Sequence, residues 1–135
     1  MDFTNKKSSH HYIGALGEEI AKNYLENRGY KTITRNYRKK WGEIDIIMSK
    51  KKKTHFIEVK TVSVKEGSRE WRREGRDRYR PEDNMHPFKV KRIQRAIQSF
   101  LGESRGERDW QIDLVCVYID TGSKKAKVDL LESIF

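Results

Sequence analysis

The sequence predicts an α/β domain: a single mixed sheet flanked by helices, in the order α-β-β-β-α-β-β. Three observations predict it. Two segments repeat apolar residues at helical spacing, and each is closed by a glycine. Five segments either alternate in polarity or are continuously apolar over strand lengths. No internal repeat divides the chain, and its 135 residues suit one domain with one core.

Residues 1–11 are polar and are expected to form a loose tail that includes His10 and His11. The first helix is expected from about His11 to Arg28. Ile13, Leu16, Ile20, Tyr24 and Leu25 form its apolar stripe, and Gly29 is its stop. Glu19 falls on the polar side. Glu18 falls at the border of the stripe, where it can look along the sheet. Tyr30–Tyr37 alternates and is β-branched, so it reads as a strand. After a turn at Arg38–Trp41 come two more strands, Glu43–Met48 and His55–Val62. Ser49 and Lys50–Lys53 join them as a short hairpin loop, which makes the first three strands an antiparallel meander.

Periodicity disappears from Ser63 to His86. The segment mixes Arg with acids, carries Gly67, Gly75 and Pro81, and exceeds an ordinary connection. It is expected to be a functional flap or a disordered loop. Trp71 and Tyr79 lie among its arginines. Such aromatics stack on unpaired nucleic-acid bases or pin a loop to its domain, and the first reading is favoured here. Pro87 then opens a helix over Phe88–Leu101, with Val90, Ile93, Ala96, Ile97, Phe100 and Leu101 on one side. Lys89, Lys91, Arg92 and Arg95 lie on the other, and Gly102 is the expected stop. Trp110–Ile119 is a strand so apolar that it belongs mid-sheet, with Asp113 as its exception. Thr121–Lys125 turns, and Ala126–Phe135 reads as an edge strand with an apolar tail.

The hairpin carries the chemistry. Symmetric pairing about its loop places Asp45 opposite Glu58, Glu43 opposite Lys60, and Ile47 opposite Phe56, all on one face. Ile44, Ile46, Met48, Ile57 and Val59 take the other face. Two carboxylates directly opposite each other destabilise a hairpin. A cation between them resolves the conflict. Oxygen-only ligands with few protein donors suit Mg2+, which keeps waters and accepts phosphate oxygens. The same residues also suit an amphipathic hairpin whose polar face is simply solvated.

Charge narrows the partners. Thirty Lys plus Arg against 20 Asp plus Glu give a formal charge of +10. A basic domain of this size most often meets nucleic acid. The Lys50–Lys53 run at the hairpin tip is either solvated or in touch with a phosphate backbone. No segment is a basic amphipathic helix with an aromatic apolar face, no apolar run spans a bilayer, and the first residues lack a signal-peptide segment. Cys116 is the single cysteine, which excludes an internal disulfide and suits a reducing cytoplasmic location.

The runs GEEIAKNYLENRGYKTITRNYR, GEIDIIM, FIEVKT and KVKRIQRAIQSFL, with WQIDLVCV and the final LESIF, resemble the YraN-like family. These small bacterial proteins belong to the restriction-endonuclease-like, or PD-(D/E)xK, superfamily and look closest to its Holliday-junction resolvases. The match covers nearly the whole chain from Gly14. Residues 63–86 are longer than the family usually shows. The resemblance implies a restriction-endonuclease-like fold and hydrolysis of DNA phosphodiesters with Mg2+ or Mn2+. The favoured substrates are branched, flapped or single-stranded. Asp45 corresponds to the metal-binding Asp, Glu58 and Lys60 to the E-x-K pair, Glu18 to the first-helix Glu of resolvase-like members, and Lys89 to the lysine opening the second helix. Asp45 and Glu58 are then direct metal ligands, with the Val59 carbonyl a third. Glu18 completes a second site or holds a metal-bound water. Lys60 orients the attacking water or stabilises the phosphorane, and Glu43 supports Lys60. Arg35, Lys89 and Arg92 are candidates for gripping phosphates. A homodimer is expected if two strands are cut symmetrically. The alternative is a non-catalytic nucleic-acid-binding module of the same fold. A protein-interaction adaptor is a third reading.

Overall fold

In the computed structural model, residues 6–72, 87–104 and 109–135 are described. Helix α1 spans Lys6–Glu26 and so begins earlier than the tail expected over residues 1–11. Lys6–His10 contains no Gly or Pro, so a helix anchored further on propagates back through it. Its other end is the expected glycine stop. Gly29 has φ +91°, Tyr30 N–H donates to the Leu25 carbonyl and Gly29 N–H to that of Glu26, both at 3.1 Å. Leu25 and Tyr30 share one core cluster, which completes a Schellman cap.

Strands β1 (Lys31–Lys39), β2 (Gly42–Lys50) and β3 (Lys53–Ser63) form the antiparallel meander. The β2–β3 loop is tighter than expected. Only Lys51 and Lys52 turn, with φ of 49° and 61°. Two left-handed residues match the twist of the flanking strands, so the ladder continues to Lys50 and Lys53. A short helix, α2 (Arg69–Arg72), follows β3. Helix α3 (Pro87–Glu103) lies between β3 and its parallel neighbour β4 (Trp110–Asp120), and β5 (Lys125–Leu131) closes the sheet as an antiparallel edge. The strand order is β1-β2-β3-β4-β5. This is the mixed-sheet, restriction-endonuclease-like architecture. Among the described residues no helix is long and apolar enough to cross a membrane.

Two element ends differ from expectation. Gly102 does not stop α3, which runs to Glu103, and Ser104 N–H still donates to the Phe100 carbonyl at 2.9 Å. A lone helical glycine costs about 1 kcal/mol, which a packed helix absorbs. The last strand ends at Leu131 rather than Phe135. The tail instead folds over β4, with Ser133 N–H on Asp113 (3.0 Å) and Ile134 N–H on the Ile112 carbonyl (2.9 Å).

Period-two alternation sorts the core into two layers. Ala21 and Leu25 of α1 cover Ile46, Met48, Ile57, Val115, Val117 and Ile119. Ile93, Ala96 and Ile97 of α3 cover Ile47, Phe56 and Ile112 on the opposite face. Farther along that second face, Leu114, Cys116, Tyr118 and Leu131 are covered by Trp71. Trp71 is only 9% exposed, and Lys127 Nζ sits 5.0 Å from its ring centre. The expected base-stacking role for Trp71 is therefore corrected: the ring pins the segment after β3 onto the sheet. Tyr79 lies outside the described residues.

Candidate active site

The site forms where the sheet comes apart. The β2–β3 ladder runs from Lys50↔Lys53 through the expected Ile47↔Phe56 pair and ends at Ile46↔Ile57. On the other side, the β1–β2 register passes from Arg35↔Ile46 to Tyr37↔Ile44. Asn36, between them, takes a left-handed φ of 51°. Asn is among the few side chains that tolerate this conformation. The alternation of β2 reverses here, between Ile44 and Ile46. Ile44 therefore joins the α3 face with Ile47 and Phe56, not the face of Ile46 and Met48 that simple alternation gives.

Asp45 stands at this break. Its Oδ2 accepts the Val59 N–H at 2.8 Å, replacing a ladder bond with a side-chain one. Its carboxyl also shares a hydrogen bond with that of Glu58. Lys89 Nζ reaches Glu58 Oε1 at 3.2 Å from the first turn of α3. Burial pushes the Glu58 carboxyl up to about 8, and the Asp45 charge adds to the push while Lys89 opposes it. Burial raises Asp45 as well, against the pull of the Val59 N–H. Glu18 is raised first by burial and then by Asp45. The cause in each case is the same: desolvated carboxyls sharing a small space.

Glu18 arrives because Gly17 lets α1 lie directly on β3. A Cβ at Gly17 would stand 1.9 Å from Thr61 Oγ1. The resulting concavity of about 540 Å³ is lined by Gly14, Glu18, Asp45, Glu58, Lys60 and Thr61 among others. A neighbouring hollow continues it past Gly14 and Glu18 to His11, Asn36 and Arg38. The structure thus gathers Glu18, Asp45, Glu58 and Lys60 in one place, with Lys89 at its edge.

The remaining expected residues fall elsewhere. The β2–β3 ladder ends before Glu43 and Lys60 come opposite. Glu43 pairs with Arg38 at 3.5 Å on the exposed side, although its charge still acts on Asp45 and Glu18. Arg35 is held by Glu19 at 2.9 Å, and its charge partly offsets the rise of Glu18. Arg92 is exposed, with its backbone carbonyl packed on Gly42. Gly17 and Asn36 shape the site without having stood out in the sequence. The signal for Asn36 is its residue type inside an otherwise β-branched run.

Among the described residues no three carboxylate, imidazole or thiol groups converge closely enough to hold a cation unaided. The Asp45–Glu58 pair nevertheless fits Mg2+ or Mn2+. Both are hard oxygen donors in hydrogen-bonding contact, and burial has made their negative charge costly. An ion that takes one or two carboxylates and completes its shell with water and phosphate needs no third protein carboxylate.

A family profile described as "Uncharacterised protein family UPF0102" matches residues 17–117. A UPF0102 protein of Campylobacter lari is 34% identical over 126 residues, covering 93% of this chain and 96% of that protein. One from Alkaliphilus oremlandii is 34% identical over 124 residues, covering 91% and 97%. Another, from Campylobacter hominis, is 30% identical over 122 residues, covering 90% and 92%.

Proposed function

We propose that this chain, which belongs to the uncharacterised family UPF0102, is a metal-dependent DNA endonuclease acting on branched, flapped or single-stranded DNA. The observation that carries the reading is the partly buried Asp45–Glu58 pair, both carboxyls raised by desolvation and Glu58 to about 8, beside Lys60 and Lys89 on a chain of charge +10. Asp45 and Glu58 would hold Mg2+ or Mn2+, with Glu18 as a further oxygen donor at the same concavity. Such an ion neutralises the phosphate and makes a bound water nucleophilic.

The chain's own groups do the rest. Val59 N–H fixes the Asp45 carboxylate, so that oxygen is aimed before substrate arrives. Lys89 orients Glu58 in the same way. Lys60, lining the concavity, donates to the attacking water or to a phosphate oxygen. Arg35, Lys89 and Arg92 contribute positive field along the approach. Symmetric cutting of two strands would take a C2 dimer.

The test is incubation with flapped, branched and single-stranded DNA in the presence of Mg2+ or Mn2+. Cleavage is expected with the native protein and is expected to vanish in Asp45→Asn and Lys60→Ala while DNA binding survives. Undiminished cleavage in those variants would remove the assigned chemistry. The alternative is a non-catalytic nucleic-acid-binding module of the same fold. It predicts steeply salt-dependent binding and DNA that no divalent ion changes.

A further inference from the structure

A second concavity lies on the outer side of α3, away from the carboxylates. It holds about 550 Å³ and is lined by Trp41, Lys91, Gln94, Arg95, Gln98 and Trp110, with Ile97 beneath. Trp41 and Trp110 are 45% and 38% exposed, a large solvent exposure for two tryptophans in one groove. Both are also fixed. Trp41 Nε1 donates to Ser99 Oγ at 2.7 Å, and the Trp110 ring meets Phe56 edge-on at 5.7 Å. The charged residues of the lining, Lys91 and Arg95, are cations, and the polar ones are the amides Gln94 and Gln98.

We propose that a single-stranded nucleic-acid arm leaving the candidate active site lies in this groove, a reading that rests on nucleic acid being the substrate. Three features of the groove match that occupant. Immobilised indoles offer stacking faces to unpaired bases at little conformational cost. Lys91 and Arg95 answer the phosphates between those bases, and Gln94 and Gln98 can bond base edges without demanding one sequence. The groove also shares helix α3 with the site. Lys89, which holds Glu58, precedes Arg95 by about 9 Å of helix rise. An arm in the groove therefore starts within a few nucleotides of the reacting phosphate. A duplex presents its bases stacked and cannot use the indoles, so the groove selects substrates with an unpaired arm.

The test measures binding of a fluorescent dT12 oligonucleotide, with an rU12 arm alongside, in chelator so that cleavage plays no part. Trp41→Ala and Trp110→Ala are each expected to weaken binding by about 5- to 150-fold, the range of one lost base stack. Trp41→Phe and Trp110→Phe are expected to keep most of it. Lys91→Glu with Arg95→Glu, at exposed positions that do not threaten folding, is expected to weaken binding and flatten its salt dependence. Weaker dT12 binding with unchanged rU12 binding assigns the groove to DNA, and equal losses assign it to either polymer. Unchanged affinity across all the variants would overturn the proposal. So would loss of self-association in place of DNA binding, because the groove would then be a contact between two copies. Cleavage of substrates without arms is scored separately. Failure of the nuclease reading thus leaves the dT12 result standing, and failure of the groove leaves cleavage standing.

Discussion

Glu58→Gln is expected to stabilise the protein in chelator at neutral pH, an unusual outcome for a substitution in a buried polar site. The unfolded glutamate has its ordinary value of 4.5, and the folded one is pushed up to about 8. Below 4.5 the side chain is protonated in both states and folding incurs no cost. As pH rises toward 8, the unfolded chain gains a solvated charge that the folded chain must either neutralise or bury. Native stability therefore falls across that window. Linkage gives a loss of about 3 kcal/mol at about pH 7 and below about 1 kcal/mol at about pH 5. Glutamine keeps the shape and an acceptor for Lys89 but never ionises, so it escapes the penalty. The assay is urea denaturation of native and variant protein across this pH range in chelator. The variant should lead by up to about 3 kcal/mol near pH 7, and the lead should shrink toward pH 5. Adding Mn2+ should reverse the order, because a ligand that binds only the folded native site stabilises by mass action. A variant that is less stable at pH 7 in chelator, or whose gain ignores pH, would refute the account of crowded carboxyls.

Four further outcomes follow from the geometry. Gly17→Ala pushes α1 away from Thr61, and overpacking of this kind costs about 1–3 kcal/mol; cleavage should fall with it as Glu18 is displaced. Gly42→Ala should cost more, because its Cβ would stand 1.9 Å from the Arg92 backbone carbonyl, and thermal melts of the two variants would rank them. Lys51→Asn with Lys52→Gly relieves two left-handed lysines and should add about 1 kcal/mol to stability, leaving any cleavage rate unchanged. Asp113→Ala should cost about 3–5 kcal/mol in urea denaturation. It would strip partners from His55 Nδ1 (2.6 Å), Gln111 Nε2 (2.8 Å) and Ser133 N–H (3.0 Å) at a fully buried position; a loss below about 1 kcal/mol would show that the network is dispensable.

The hairpin register was legible because a one-residue slip would turn every apolar side chain of β2 and β3 to the wrong face. The same reasoning failed at Ile44. Alternation assumes an unbroken ladder, and the β2–β3 ladder has already ended at Ile46↔Ile57 before Ile44 is reached. Where a ladder ends is a property of two strands together, so no window on β2 alone contains it. Trp71 was misplaced for a different reason. An indole among arginines is equally suited to a base or to a core, and composition cannot say which sheet face lacks cover. The missing information lay in LVCVYI. A strand apolar on both sides needs a lid on each, α3 covers only the Ile112 end, and Leu114, Cys116 and Tyr118 remain for Trp71.

Local rules are broken together at one point of the fold. Two carboxyls meet in a desolvated place, an asparagine adopts a left-handed backbone, and the β2–β3 ladder stops. Each has a bland explanation alone, and their coincidence is what the proposed function accounts for. The opposite edge of β3 explains how the fold tolerates it. From Thr54↔Trp110 to Ser63↔Ile119, β3 pairs with β4 through ten consecutive positions, straight past Glu58 and Lys60. One flank of β3 can therefore open to free Asp45 and Glu58 for a ligand while the other holds the E-x-K segment rigid. A site built at a sheet's free edge would lack that support. A site inside an intact sheet would leave its carboxyls no room for water or phosphate.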